Sequence, residues 1–230
     1  MIISHKHRFI FLKTAKTAGT SVEIALSRFC GDDDVITPIS PEDEKLRQSL
    51  GHRGPQNYRD VASLVNARHW KYLVATRRRH FYNHIGARHV RSLVAPSVWQ
   101  DYYKFCFARN PWDRVVSYYH FHYGWNGEPR RPISEFIRSP TIKALRTRGF
   151  EVYTIRCNVV VDKVCRYEAL ETELQEVYER VGIHERVSLP MAKANYRTDT
   201  RHYREIFSCE DKDLIAQMFA DEIRLLGYEY

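Results

Sequence analysis

The sequence is poor in cysteine, and none of the spacings that give cysteine a structural task is present. The five, Cys30, Cys106, Cys157, Cys165 and Cys209, are odd in number and include no CxxC pair. Neither a zinc site nor a disulfide framework is indicated, and the usage fits a reducing compartment. Long apolar runs are also missing. No stretch approaches the roughly 18 residues of a membrane span. The basic start, Met1 to His7, leads into a strand-like run, Arg8 to Lys13, far shorter than the core of a signal peptide. These absences lead us to expect a cytoplasmic protein with no transmembrane segment. There is no internal repeat and no low-complexity linker, so the 230 residues are expected to form one domain, 1–230, a length marginal for two.

What is present is globular. Hydrophobic residues make up 43% and aromatics 13% of the chain, too much for wholesale disorder. Cys106, inside an apolar run, reads as small core filler. A formal net charge of +8 favours an anionic partner, whether nucleic acid, a phosphorylated cofactor, an acidic glycan or a membrane surface. Strands alternate with helices. Phe9 to Leu12 reads as a buried strand, followed by a loop and a helix with Val22, Ala25, Leu26 and Phe29 on one face. Tyr103 to Ala108 is a second strand. Asn110, Pro111 and Asp113 then open a helix by capping, fixed φ and first-turn charge. Val159 to Val161 and Val164 to Tyr167 form a third strand region, before a helix striped with Leu170, Leu174, Val177 and Val181 and ended by Gly182. Ser208 and Asp211 open a last helix that runs through Leu226 to Gly227. Asp32 to Asp34, Thr37 to Pro41 and Gly51 to Asn57 read as surface loops, and Asp60 to Gln100 as helical with basic loops. The alternation predicts an α/β fold with a central, mainly parallel β-sheet flanked by helices.

The first strand runs into Lys13-Thr14-Ala15-Lys16-Thr17-Ala18-Gly19-Thr20-Ser21. Small residues let the backbone curl so that successive N–H groups converge on one anion, and the following helix adds its positive end. Lys16 contributes a full charge, and Thr17, Thr20 and Ser21 contribute hydroxyls. An ATP-type loop would read GxxxxGK[ST]. Here the lysine precedes the glycine by three residues, so the domain is P-loop-like without the usual Mg²⁺ arrangement. This segment, Lys16-Thr17-Ala18-Gly19-Thr20-Ser21 after an apolar strand, resembles the 5′-phosphosulfate loop of the sulfotransferases that use 3′-phosphoadenosine 5′-phosphosulfate (PAPS). It is closest to the branch of carbohydrate sulfotransferases and bacterial homologues. The resemblance implies that Lys16 contacts the transferring sulfonate and the leaving phosphate, and that the Thr and Ser hydroxyls grip the 5′-phosphate.

A second segment, Phe105 to Tyr119, resembles the 3′-phosphate element of that family: a strand ending in Arg109 and a helix carrying Ser117 eight residues later. The guanidinium fork suits a phosphate. Val164 to Leu170 resembles the strand whose aromatic residue lies against the adenine, with Tyr167 the candidate. The stretch from Tyr196 to Tyr203 resembles a loop that closes over the nucleotide, with Arg201 and Arg197 as further candidates. The chemistry needs a base for the acceptor proton, and histidine suits it. Among the eleven histidines, Asn83-His84-Ile85-Gly86-Ala87-Arg88 resembles the family's histidine-bearing helix upstream of the Arg strand. His84 is therefore preferred, with His89, His69 and His52 behind it and His120 and His122 as helix-surface residues. The implied activity is sulfuryl transfer from PAPS, without a metal, to a hydroxyl acceptor such as a glycan or glycolipid. Three other readings remain open: a small-molecule kinase using ATP and Mg²⁺, a basic nucleic-acid-binding module, and a PAPS-fold protein without catalysis. No recognised nucleic-acid motif supports the second.

Overall fold

A computed structural model describes residues 1–59, 80–190, 192, 199 and 201–230 of the chain. Its sheet has five strands: β1 (Ile2–Ser4), β2 (Phe9–Leu12), β3 (Val35–Ile36), β4 (Tyr103–Ala108) and β7 (Lys163–Arg166), in the order β3-β1-β2-β4-β7. β2, β4 and β7 are parallel, with Leu12 opposite Cys106 and Ala108 opposite Arg166. β1 runs antiparallel to both β2 and β3, so four of the five strands point one way and the mainly parallel sheet is borne out. β5 (Thr154–Ile155) and β6 (Asn158–Val159) pair with each other as a separate hairpin. The expected third strand region is thus two elements in two sheets. Among the described residues no helix is long and apolar enough to cross a membrane.

Both faces of the sheet are covered, which is why β2 reads as unbroken Phe-Ile-Phe-Leu rather than as an alternation. On one face Phe9, Phe11, Phe105, Phe107 and Cys165 pack against Val22 and Leu26 of the Gly19–Ser27 helix and Leu174, Val177 and Tyr178 of the Leu170–Arg180 helix. On the other, Ile10, Leu12 and Cys106 meet Val90 and Leu93 of the Ala87–Leu93 helix and Val152 and Tyr153. Cys106 is buried filler, as expected, and Gly182 ends its helix with φ +73°.

The local signals around Asn110 hold in detail. Its side-chain oxygen accepts from the N–H groups of Trp112 and Asp113 at 3.1 and 3.4 Å, starting the Pro111–Asn126 helix. Ser208 caps the last helical region through Asp211 N–H, but that region is two helices, Cys209–Met218 and Ala220–Leu226, parted at Phe219. The acidic stretch differs from expectation too. Asp34 is buried and accepts from Ser4 Oγ at 2.8 Å and from the N–H groups of His5 and Gly31 at 2.6 and 2.8 Å. It is a structural carboxylate beside edge strand β3, because the β1–β2 turn presents donors that a buried backbone must satisfy.

Behind the sheet's carboxyl end, Arg114 and Glu222 form a fully buried two-pronged ion pair, Nη1 to Oε1 at 2.8 Å and Nη2 to Oε2 at 2.5 Å. Tyr153 Oη donates to the same carboxylate at 3.2 Å. A Cβ on Gly149 would stand 2.9 Å from Arg114 Nη1 and 2.5 Å from Leu145 O, so the glycine is what lets the chain pass this pair. Removing one partner of a buried pair strands the other, at about 3–5 kcal/mol. Glu222→Ala is therefore expected to lower unfolding stability by that amount. A urea midpoint within experimental error of wild type would show that the pair does not hold the helical layer.

Candidate active site

The two sequence elements that carry cations leave the sheet side by side. β2 and β4 are adjacent and parallel, so the loop after Leu12 and the turn after Ala108 emerge at the same carboxyl edge, where open α/β sheets bind their ligands. The Thr14 hydroxyl donates to the Phe107 carbonyl across that edge. In the loop, Lys16 and Ala18 have left-handed backbone, φ +64° and +55°, a conformation a non-glycine residue keeps only when its surroundings fix it. Three contacts do so: the Ala15 N–H donates to Arg148 O at 2.7 Å, Arg109 Nη1 donates to Lys16 O at 3.1 Å, and the Thr14 and Thr17 hydroxyls pair at 2.8 Å. Gly19 is needed for a different reason. A Cβ there would lie 2.7 Å from Lys13 Cγ, and Lys13 cannot yield, because its Nζ is held by the buried Glu23 carboxylate at 2.8 Å.

A cavity of about 390 Å³ opens over this edge, a size suited to a nucleotide-scale ligand. Of the expected residues, Lys16, Ala18, Gly19, Thr20, Ser21, His84, Arg109, Ser117 and Tyr167 line it. Thr17 does not: it is fully buried with its hydroxyl turned to Thr14. Arg201 does not either. It is exposed and grips Asp199 through Nε at 3.1 Å and Nη2 at 2.6 Å. His52 lines a separate small cavity with its Nδ1 on Ile24 O, and His89 pairs with the Tyr82 hydroxyl. His120 is buried rather than on the helix surface. His69 and Arg197 lie outside the described residues.

Sequence reasoning missed Lys13, Asn83, Tyr118, Phe121 and Arg148, which also line the cavity. Phe121 had a readable signal, since it lies one helical turn beyond Ser117. Arg148 had none: it is brought in by the backbone hydrogen bond to Ala15.

The electrostatics are one-sided. Lys13, Lys16, Arg109 and Arg148 line the cavity, and no Asp or Glu does among the described residues. The carboxylates stand behind: Glu23 holds Lys13, and Asp113 takes Arg109 Nε at 2.8 Å and Nη2 at 2.7 Å. The guanidinium plane of Arg109 also lies 4.0 Å from the centre of the Tyr167 ring, a cation–π contact. Tyr167 sits just past β7, in a short 3₁₀ turn, and is only partly buried.

His84 sits in a turn before the Ala87–Leu93 helix, with φ +58°, and not on a helix. Its Nδ1 lies 2.9 Å from the Lys13 carbonyl. A carbonyl only accepts, so Nδ1 carries the proton, and the neutral ring has its lone pair on Nε2. Burial, with the positive charges of Lys13 and Arg148 adding to it, pushes the imidazole pKa from 6.5 down to about 3. The unfolded chain takes up the proton near pH 6.5 and the folded one only near 3, so stability falls as pH drops through that window, by up to about 1.4 kcal/mol per pH unit. Nitrogen-15 NMR should find His84 neutral and protonated on Nδ1 at pH 5. A titration midpoint near 6.5, or an Nε2–H tautomer, would contradict this geometry.

The chain matches the sulfotransferase family over residues 1–151, a span that includes the loop, His84, Arg109 and Ser117. A protein of Archaeoglobus fulgidus described as uncharacterized is 30% identical over 112 residues, covering 47% of this chain and 93% of its own length. No solved structure matches the chain. The family match over most of the chain, on a mainly parallel sheet flanked by helices, makes this protein a member of the sulfotransferase family.

Proposed function

We propose that the chain moves a sulfuryl group from PAPS to a hydroxyl acceptor, with no metal ion in the transfer. The observation that carries this reading is the cavity with four cationic side chains and no carboxylate in its described lining. Such a lining suits a ligand with several anionic groups and lacks the carboxylate through which Mg²⁺ is usually held in an ATP site. The reading takes residues 1–230 as one domain. Its support beyond residue 151 is the pairing of β7 with β4 and the stacking of Tyr167 on Arg109.

Bound donor supplies an activated sulfonate on a 5′-phosphate. This chain's residues would then act as follows. The loop N–H groups with Thr20 and Ser21 hold the 5′-phosphate at the helix terminus. Lys16 offsets the charge that grows on the leaving oxygen, a stabilisation strongest in the transition state. Arg109 and Ser117 hold the 3′-phosphate, and Tyr167, with one face on Arg109, offers the other to the adenine. His84 accepts the acceptor's proton at Nε2. Burial is the main cause of its depressed pKa, and an anionic ligand beside it would offset the smaller contributions of the Lys13 and Arg148 charges, raising the imidazole's basicity when the donor is bound.

Two experiments test this. Adenosine 3′,5′-bisphosphate should raise the melting temperature in the presence of EDTA. Arg109→Ala should weaken it by about 10- to 150-fold while changing the affinity of the analogue lacking the 3′-phosphate far less. Stabilisation by ATP with Mg²⁺ and not by the bisphosphate would favour a kinase. In the second, His84→Asn should leave bisphosphate affinity within about twofold and lower turnover by about 10²- to 10⁴-fold. Near-wild-type turnover at neutral pH would remove His84 as the base.

A further inference from the structure

A second cavity, of about 130 Å³, opens at the far end of the Gly19–Ser27 helix, where Ala25 and Arg28 line it. Its lining joins aromatic walls to cations. Phe29 and Tyr178 meet edge to face, with ring centroids 5.4 Å apart and planes at 78°, and Leu189 and Pro190 extend the apolar surface. The cations are Arg28 and Arg186, with His52 beside them, and no Asp or Glu lines the cavity among the described residues. Arg28 lies 5.4 Å from the centre of the Phe29 ring, and its Nη2 is 2.7 Å from Glu185 Oε2. No ion pair holds Arg186 among the described residues.

Size and charge together select a ligand class. A dry cavity of about 150 Å³ holds benzene, so this volume suits one aromatic ring. Glu185 offsets Arg28, which leaves the charge of Arg186 for one anionic group. A carboxylate matches the fork of a guanidinium, and an aromatic ring adds a third member to the edge-to-face pair, which an acyl chain does not. The cavity is also joined to the donor cavity. Residues 188–190 line the second cavity, and two positions on, Ala192 lines the first. The Ala192 N–H is shared between Pro190 O at 2.9 Å and Ser21 Oγ at 3.3 Å. Ser21 and Ala25 stand one turn apart on the same helix, so that helix touches both cavities as well. A ligand packed on Leu189 and Pro190 restrains the segment that ends on the Ser21 hydroxyl, and a donor arriving afterwards meets less of the ordering cost.

We propose that this second cavity is an effector site for a small aromatic carboxylate, and that its occupancy tightens the donor cavity through Leu189, Pro190 and Ala192. The site stands on its own lining. The coupling rests on the nucleotide reading, which gives Ser21 to the 5′-phosphate.

The test titrates 4-fluorobenzoate into the full chain and follows it by fluorine NMR, first alone and then with adenosine 3′,5′-bisphosphate at saturation. It should bind in both states, about fivefold or more tightly with the bisphosphate present, and the bisphosphate should gain by the same factor. Benzamide, which has the ring without the charge, and hexanoate, which has the charge without the ring, should compete poorly. Arg186→Ala should weaken 4-fluorobenzoate by about tenfold or more, and Arg186→Lys by less. Leu50→Glu, which sets a like charge in the lining, should weaken it as well. All three variants should bind the bisphosphate alone as wild type does, which certifies that they are folded. Displacement of 4-fluorobenzoate by the bisphosphate would place it in the donor cavity and overturn the site. So would no binding, unchanged binding by Arg186→Ala, or equal competition by benzamide or hexanoate. A dimer, seen by sedimentation, that Leu50→Glu dissolves would give the cavity to a second copy and overturn it too. Equal affinity with and without the bisphosphate would overturn the coupling. Should the bisphosphate itself not bind, the nucleotide reading falls, while the titration of the free chain still decides the site.

Discussion

The Glu23 carboxylate, buried under the phosphate-type loop, is the contact on which the site's geometry depends. Burial alone would raise its pKa. Lys13 at 2.8 Å and Arg47 at 3.7 Å instead hold it down to about 2. A buried charge is tolerated only when it is paired, so the pairing fixes Lys13 at both ends. Its ammonium is tied to the Gly19–Ser27 helix and its backbone belongs to the loop. From that one fixed residue follow the glycine requirement at position 19, where Lys13 Cγ leaves no room for a Cβ, and the tautomer of His84, whose Nδ1 proton goes to the Lys13 carbonyl. Helix, loop and imidazole are thereby set by a single ion pair.

Much of this was legible in the sequence, and the boundary has a physical cause. Features determined within a few residues could be read: the apolar runs of β2 and β4, the Asn110 cap, the glycine at the end of the Leu170 helix, and the curl of small residues around Lys16. Features determined by partners distant in the chain could not. Arg148 reaches the cavity because its carbonyl holds the Ala15 N–H, and Asp34 leaves the surface because the β1–β2 turn needs an acceptor. The helix expected at His84 is a turn, since its Nδ1 must reach a loop carbonyl 71 residues away. Thr17 illustrates a subtler limit. Its hydroxyl was countable among the loop's donors, but the direction in which it points depends on Thr14, which is itself drawn to Phe107.

Arg109 explains why two elements so far apart in sequence act as one site. The guanidinium is shared in three directions: toward Asp113 behind it, toward the Lys16 carbonyl beside it and onto the face of Tyr167. A planar fork can do all three at once, and a lysine could not. The contact with the Lys16 carbonyl helps hold that residue in its left-handed conformation, so the second element supports the backbone of the first. The cations that converge on the cavity repel one another, and three of the four are restrained from behind or from the side: Lys13 by Glu23, Arg109 by Asp113, Lys16 by the Phe121 ring. Those restraints hold the positive groups together before an anion arrives. The reorganisation cost of gathering them is met in folding and not at binding, and that is the sense in which the charge pattern of this edge is preorganised for transfer of an anionic group.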